Sequence, residues 1–160
     1  MKTLLLGMGN PILTDDAVGV RLARDIAGCL DGTPELDVVP ECSVGGLNLL
    51  EVLAGYERVI VFDSIRTADG VPGDWYQFTA ARLRDTLHLR NVHDVNFATA
   101  LELGRRTGTR LPADEEIHIF AIEIAEDAAF GDAMSPQLEA AYPELRAELL
   151  DEVRAILGRE

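Results

Sequence analysis

Val59-Ile60-Val61-Phe62 is an unbroken apolar run that stops at an acid, Asp63. A strand with no polar alternation must be covered on both faces, as in a parallel sheet between helices rather than an antiparallel sheet with one wet face. The rest of the chain alternates short apolar runs with stretches of helical period, the pattern of strands joined by crossover helices. Residues 4–8 read as the first strand. Thr14 can cap a helix whose apolar positions Val18, Leu22, Ile26 and Leu30 recur every fourth residue, and Asp31-Gly32 closes it. Residues 36–40 give a second strand, Ser43-Val44-Gly45-Gly46 a turn, and Leu47, Leu50 and Leu53 a short helix.

Beyond the third strand, residues 58–62, a turn at Gly70-Val71-Pro72-Gly73 leads to a fourth at residues 75–79, expected antiparallel at one sheet edge. An amphipathic stretch over residues 81–89 precedes a loop at Arg90-Asn91-Val92-His93-Asp94, and residues 97–106 read as a helix ending at Gly108. Residues 117–124 form the last strand. Ser135-Pro136 has the chemistry of a helix start, and Pro143 is expected to interrupt that region, leaving a final helix over residues 143–157. The expected fold is α/β: one domain over residues 1–160, with a mostly parallel twisted sheet of about five strands, helices on both faces and one antiparallel edge strand.

Charge narrows the function. With 28 acidic and 14 basic residues the formal net charge is −14, which disfavours nucleic acid and anionic membrane surfaces. Lys2 is the only lysine, so P-loop and Schiff-base chemistry are excluded. Cys29 and Cys42 lack metal or redox spacing and read as small buried residues. The apolar start is broken at Gly7 and Gly9-Asn10-Pro11, too early for a secretory signal, and the expectation is a cytoplasmic monomer.

Ligands of an open α/β sheet bind beyond the carboxyl ends of the strands, where strand order reverses. Asp16 follows the first strand, Asp63 ends the third and His93 lies after the fourth. Two carboxylates and an imidazole suit a divalent metal and leave coordination positions for water or substrate, without choosing among nickel, zinc, manganese and iron. Each residue also has an ordinary reading: Asp15 or Asp16 at a helix start, Asp63 in a turn. His88 and His118 are set aside as surface and packing residues. Ser43 and Ser64 lack a nucleophile elbow and read as turn hydroxyls. Gly7-Met8-Gly9 suggests a dinucleotide or methyl-donor enzyme with Glu41 on the ribose, but Ile12 stands where the third glycine belongs. A receiver-like phosphoacceptor module would use similar acids, yet it needs a lysine near its last strand.

The run from Gly7-Met8-Gly9-Asn10-Pro11 through Thr14-Asp15-Asp16-Ala17-Val18-Gly19 resembles the opening motif of NiFe-hydrogenase maturation endopeptidases. The resemblance continues through Ser43-Val44-Gly45-Gly46-Leu47, Val59 to Asp63 and His93. It implies a peptide-bond hydrolase that recognises nickel already inserted in the precursor of a hydrogenase large subunit and removes its carboxy-terminal extension. It further implies that Asp16, Asp63 and His93 are the nickel-binding and catalytic residues, that nickel arrives with the substrate, and that no organic cofactor is needed. The chain departs from its relatives at Asn91-Val92, where serine or threonine is frequent. Position 16 carries aspartate in some relatives and glutamate in others.

Overall fold

The apolar run around Ile60 becomes the middle of a sheet. The structure, a computed structural model, describes residues 1–45, 47–83, 92–125 and 128–159, the side chains of residues 92–96 excepted. Its strands are β1 (Thr3–Met8), β2 (Leu36–Cys42), β3 (Arg58–Ile65), β4 (Trp75–Thr79) and β5 (Ile117–Glu123), in the order β2-β1-β3-β5-β4. All pairings are parallel except β4 against β5, the expected antiparallel edge. Every residue of β1, β3 and β5 is buried, as continuous apolar runs require.

The helices are α1 (Val18–Cys29), α2 (Asn48–Leu53), α3 (Ala80–Leu83), α4 (Val92–Arg106) and α5 (Pro136–Leu157). Strand alternation divides the core between them. Leu5, Ile60, Phe62, Phe120 and Ile122 pack under α1 and α5, against Val18, Leu22, Ile26, Leu145 and Leu149. Leu4, Leu6, Val59, Val61 and Ile119 pack under α2, α3 and α4, against Leu49, Leu53, Leu83, Phe97 and Leu101. Each such large side chain contributes about 1.5–3 kcal/mol by leaving water.

The chain passes from β1 outward to β2 and then returns across β1 to β3, so the strand order reverses between β1 and β3. Pairing of β1 with β3 ends at Gly7 against Phe62, whereas β3 continues along β5 to Ile65 against Glu123. Residues 63–65 therefore extend past β1, beside the β1–α1 loop.

That loop is anchored by Asp15, which is fully buried. Its carboxylate accepts hydrogen bonds from the Ala125 N–H (2.9 Å), just past β5, and from the N–H (2.6 Å) and hydroxyl (2.8 Å) of Ser135, which precedes α5. Leu13 and Phe130 form a bridge beside it, and the Thr14 hydroxyl donates to the Ala129 carbonyl. The expected caps are thereby reassigned: neither Thr14 nor Ser135 caps its own helix by side chain, because both hydroxyls serve this cross-link.

Pro143 does not interrupt α5, which runs unbroken from Pro136 to Leu157. A proline inside a helix costs about 3 kcal/mol through its missing N–H and its clash with the preceding turn. Buried Leu138 and Tyr142 before it, and Leu145, Leu149, Val153 and Ile156 after it, hold the helix to one core on both sides. The first half is further tied to α1: the Tyr142 hydroxyl donates to Asp25 at 2.7 Å, and Arg21 Nη1 donates to both Glu139 carboxylate oxygens while the guanidinium lies 3.9 Å above the Tyr142 ring. Cys42 is buried as expected; Cys29, at the end of α1, is exposed instead. His88 and most of the amphipathic stretch at 81–89 lie outside the described residues.

His118 is buried in β5 toward the amino ends of the parallel strands, paired in register with Ile60. Burial lowers its pKa; Glu116 opposes this, and Arg58 and Arg159 add to it.

Replacing Asp15 by alanine leaves three half-buried donors without this acceptor and should cost about 2–4 kcal/mol of unfolding free energy. Urea denaturation showing a loss below about 1 kcal/mol would contradict the cross-link. The folded protein binds the His118 proton less readily than the unfolded chain, so the stability His118 contributes is present above about pH 6.5 and is lost as pH falls toward its depressed folded value. In His118→Gln the stability-versus-pH slope just below pH 6.5 should therefore shrink, by at most about 1.4 kcal/mol per pH unit. An unchanged slope assigns the titration to another group.

Candidate functional site

At the reversal point, the 3-10 turn Asp15–Ala17 aims two consecutive acids in different directions: Asp15 inward to its cross-link, Asp16 toward the end of β3. Two glycines make this geometry possible. Gly9 has φ +133°, and a Cβ there would stand 2.2 Å from the Asp16 carbonyl oxygen, so the loop can fold back over Asp16 only without a side chain. A Cβ on Gly19 would stand 2.5 Å from the carbonyl oxygens of both Met8 and Phe62, so its absence lets α1 begin directly on the ends of β1 and β3.

Asp16 is half-buried, and each of its oxygens is held by a neutral donor. Oδ2 accepts the Asn10 N–H at 2.9 Å, and Oδ1 accepts the Ser64 hydroxyl at 2.7 Å. Asp63 is only 8% exposed, and its Oδ1 accepts the N–H of Ser64 at 2.8 Å. Ser64 thus joins the two acids, by its hydroxyl to one and its amide to the other. Asp63 lies within β3 rather than after it, because pairing with Ala121 on β5 carries the strand on to Ile65. It alternates with Val59 and Val61, which sets it on the sheet face covered by α2 and α4.

The expected loop around His93 is the first turn of α4, which begins at Val92 rather than at residue 97. The backbone therefore brings His93 to the helix start on the sheet face that Asp63 shares, and its imidazole lies outside the described residues. Cys42 ends β2: burial pushes its pKa up, a backbone hydrogen bond at Val44 works the other way, and the Asp63 charge adds to the rise, which keeps it a neutral thiol. Among the described residues no three His, Cys, Asp or Glu side chains cluster as a metal site; of the expected ligands, Asp16 accepts the Ser64 hydroxyl and Asp63 accepts the adjoining Ser64 amide.

Two contributors escaped the sequence reading. Ser64 reads in the sequence as a turn hydroxyl, whereas its partner is a carboxylate 48 residues away in sequence. Glu123 is fully buried at the end of β5 and accepts hydrogen bonds from the Thr67 N–H (3.2 Å), the Thr67 hydroxyl and the Tyr76 hydroxyl (3.2 Å), pinning the segment that leaves β3. An acid closing an apolar run marked Asp63, and the same signal was present at Glu123. Glu41, the candidate ribose ligand, instead pairs with Arg24 at 2.7 Å.

Comparison with known proteins identifies the family. The HycI hydrogenase maturation protease family model matches residues 20–152, a span that contains Asp63 and His93 and begins just after Asp16. The hydrogenase 2 maturation protease of Escherichia coli K12 is 32% identical over 114 residues, covering 68% of this chain and 66% of that protein, just under two thirds of its length. The fold is shared with the hydrogenase-maturating endopeptidase HybD from Escherichia coli, at a TM-score of 0.72 and 22% identity over 97% of this chain and 93% of that one. It is shared equally with the NiFe-hydrogenase maturation protease HybD from Thermococcus kodakarensis, at a TM-score of 0.72 and 24% identity over 96% and 99%. Sequence match and architecture agree, and the chain belongs to the hydrogenase maturation protease family.

Proposed function

We propose that this protein is an endopeptidase that recognises nickel in the precursor of a hydrogenase large subunit and cleaves off its carboxy-terminal extension, with Asp16, Asp63 and His93 as nickel-binding and catalytic residues. The observation that carries the reading is the pair of acids at the reversal point, both tied to Ser64. Asp16 takes its hydrogen bonds from neutral donors, so its negative charge stays available to a cation. An imidazole from α4 would complete a mixed oxygen and nitrogen set of a kind nickel accepts.

The nickel is part of the substrate. Binding it makes cleavage conditional on prior metal insertion, because only a loaded precursor presents the ion that these side chains hold. The same carboxylates can take the proton of a water attacking the scissile carbonyl, an aspartic-type hydrolysis in which the ion places the bond to be cut.

The surface suits a protein substrate. Of the exposed large apolar side chains, Ile12, Val44, Leu47, Val71 and Phe130 lie on connections that leave the carboxyl ends of the parallel strands, around the site; Phe130 is 77% exposed. Such a rim favours contact with another protein. Elsewhere the net charge of −14 favours basic regions on the precursor. Among the described residues no helix is long and apolar enough to cross a membrane. We place the reaction in the cytoplasm and assign it to the monomer.

Incubated with nickel-loaded and nickel-free precursor, the protein should release a terminal peptide only from the loaded form, read by mass spectrometry. Asp16→Ala, Asp63→Ala and His93→Ala should each lower cleavage by at least about 100-fold while remaining folded. Full processing by any one of them removes that residue from the site. Equal cleavage of both precursors removes nickel recognition.

A further inference from the structure

We propose that Ser64 is a positioning residue whose hydroxyl sets the geometry of Asp16, while its amide bonds the neighbouring Asp63. The inference rests on the function proposed above and adds a residue to it. Ser64 is 8% exposed, so its hydrogen bonds are largely shielded from competing water. A carboxylate only accepts, so the Ser64 hydroxyl donates its proton to Asp16 Oδ1 at 2.7 Å, while the Ser64 amide donates to Asp63 Oδ1 at 2.8 Å.

The geometry is over-determined at Asp16. The Asn10 N–H holds one oxygen from the β1–α1 loop, and Ser64 holds the other from β3. Two donors on different elements fix both the position and the rotation of the carboxylate plane, and each oxygen keeps a second lone pair for a cation. The strand supplies the rigidity. Ser64 is locked in register opposite Ile122 of β5, so the hydroxyl has a fixed origin. Along β3, Asp63 and Ser64 point to opposite faces, which is how one residue can serve Asp16 with its side chain and Asp63 with its backbone. Second-layer partners of this kind change affinity for the bound ion by roughly 10–100-fold when removed.

Ser64→Ala deletes the hydroxyl and keeps the amide. It should unfold at a urea midpoint close to that of the unmodified protein, yet cleave nickel-loaded precursor with kcat/KM reduced about 10–100-fold, mostly through a raised KM. Ser64→Thr, which restores a hydroxyl at the same place, should return most of that loss. Amide hydrogen exchange gives a readout independent of the reaction: with one anchor gone, Asp16 loosens, and the Asn10 N–H should exchange faster in Ser64→Ala than in Ser64→Thr. Wild-type kinetics in Ser64→Ala, unchanged exchange at Asn10, or a loss matched by a fall in stability and not relieved by Ser64→Thr would each overturn the proposal. Asp16→Ala in parallel separates the failures: if it too cleaves normally, the assignment of the site is wrong; if it is inactive while Ser64→Ala is normal, only the role of Ser64 is wrong.

Discussion

The buried Asp15 carboxylate is the join on which the site depends. It gathers the loop after β1, the end of β5 and the start of α5 through hydrogen bonds that span 110 and 120 residues of sequence. A charge in that position would cost several kcal/mol if left dry and unpaired, and backbone and hydroxyl donors offset the cost. Because Asp16 is the next residue, fixing Asp15 also fixes where the Asp16 carboxylate can reach. Adjacent acids have separate tasks: one holds the loop down, and the other reaches the end of β3.

The lengths of the strands bring the acids to the reversal point. β1 stops pairing at Gly7, while β3 runs on beside β5 for three more residues, and the β1–α1 loop folds back toward those residues through Gly9. Had β3 ended with β1, Asp63 and Ser64 would sit in an irregular turn. In a paired strand their alternation is fixed, and with it the split between a backbone contact and a side-chain contact.

The parts legible in the sequence are those whose cause is local. The run from Val59 to Phe62 specified a strand covered on both faces, and β4 was recognisable as an antiparallel edge. Asp63 stood out because an acid after four buried apolar residues needs a reason. The Asp15 cross-link was not legible, since nothing near Asp15 names Ala125 or Ser135 as its partners. Thr14 and Ser135 have the residue types of helix caps, and local chemistry could not show that their hydroxyls are drawn into tertiary contacts. Pro143 misled for a similar reason: the penalty for a proline is local, whereas the burial and ion pairing that offset it come from α1 and the sheet.

Ser64 shows how this limit applies to function. Its hydroxyl is weak evidence in isolation, because a serine after a strand more often bonds its own turn. What gives it meaning is the coincidence of three placements: a strand that continues past its neighbour, a loop that returns to meet it, and two acids within reach of one residue. The proposed recognition of a substrate-borne ion would demand such pre-organisation, because no resident metal would gather the ligands beforehand. Neutral donors suit that task better than an arginine or lysine would. They orient a carboxylate without neutralising it, which leaves its charge for a cation, as the proposed nickel recognition requires.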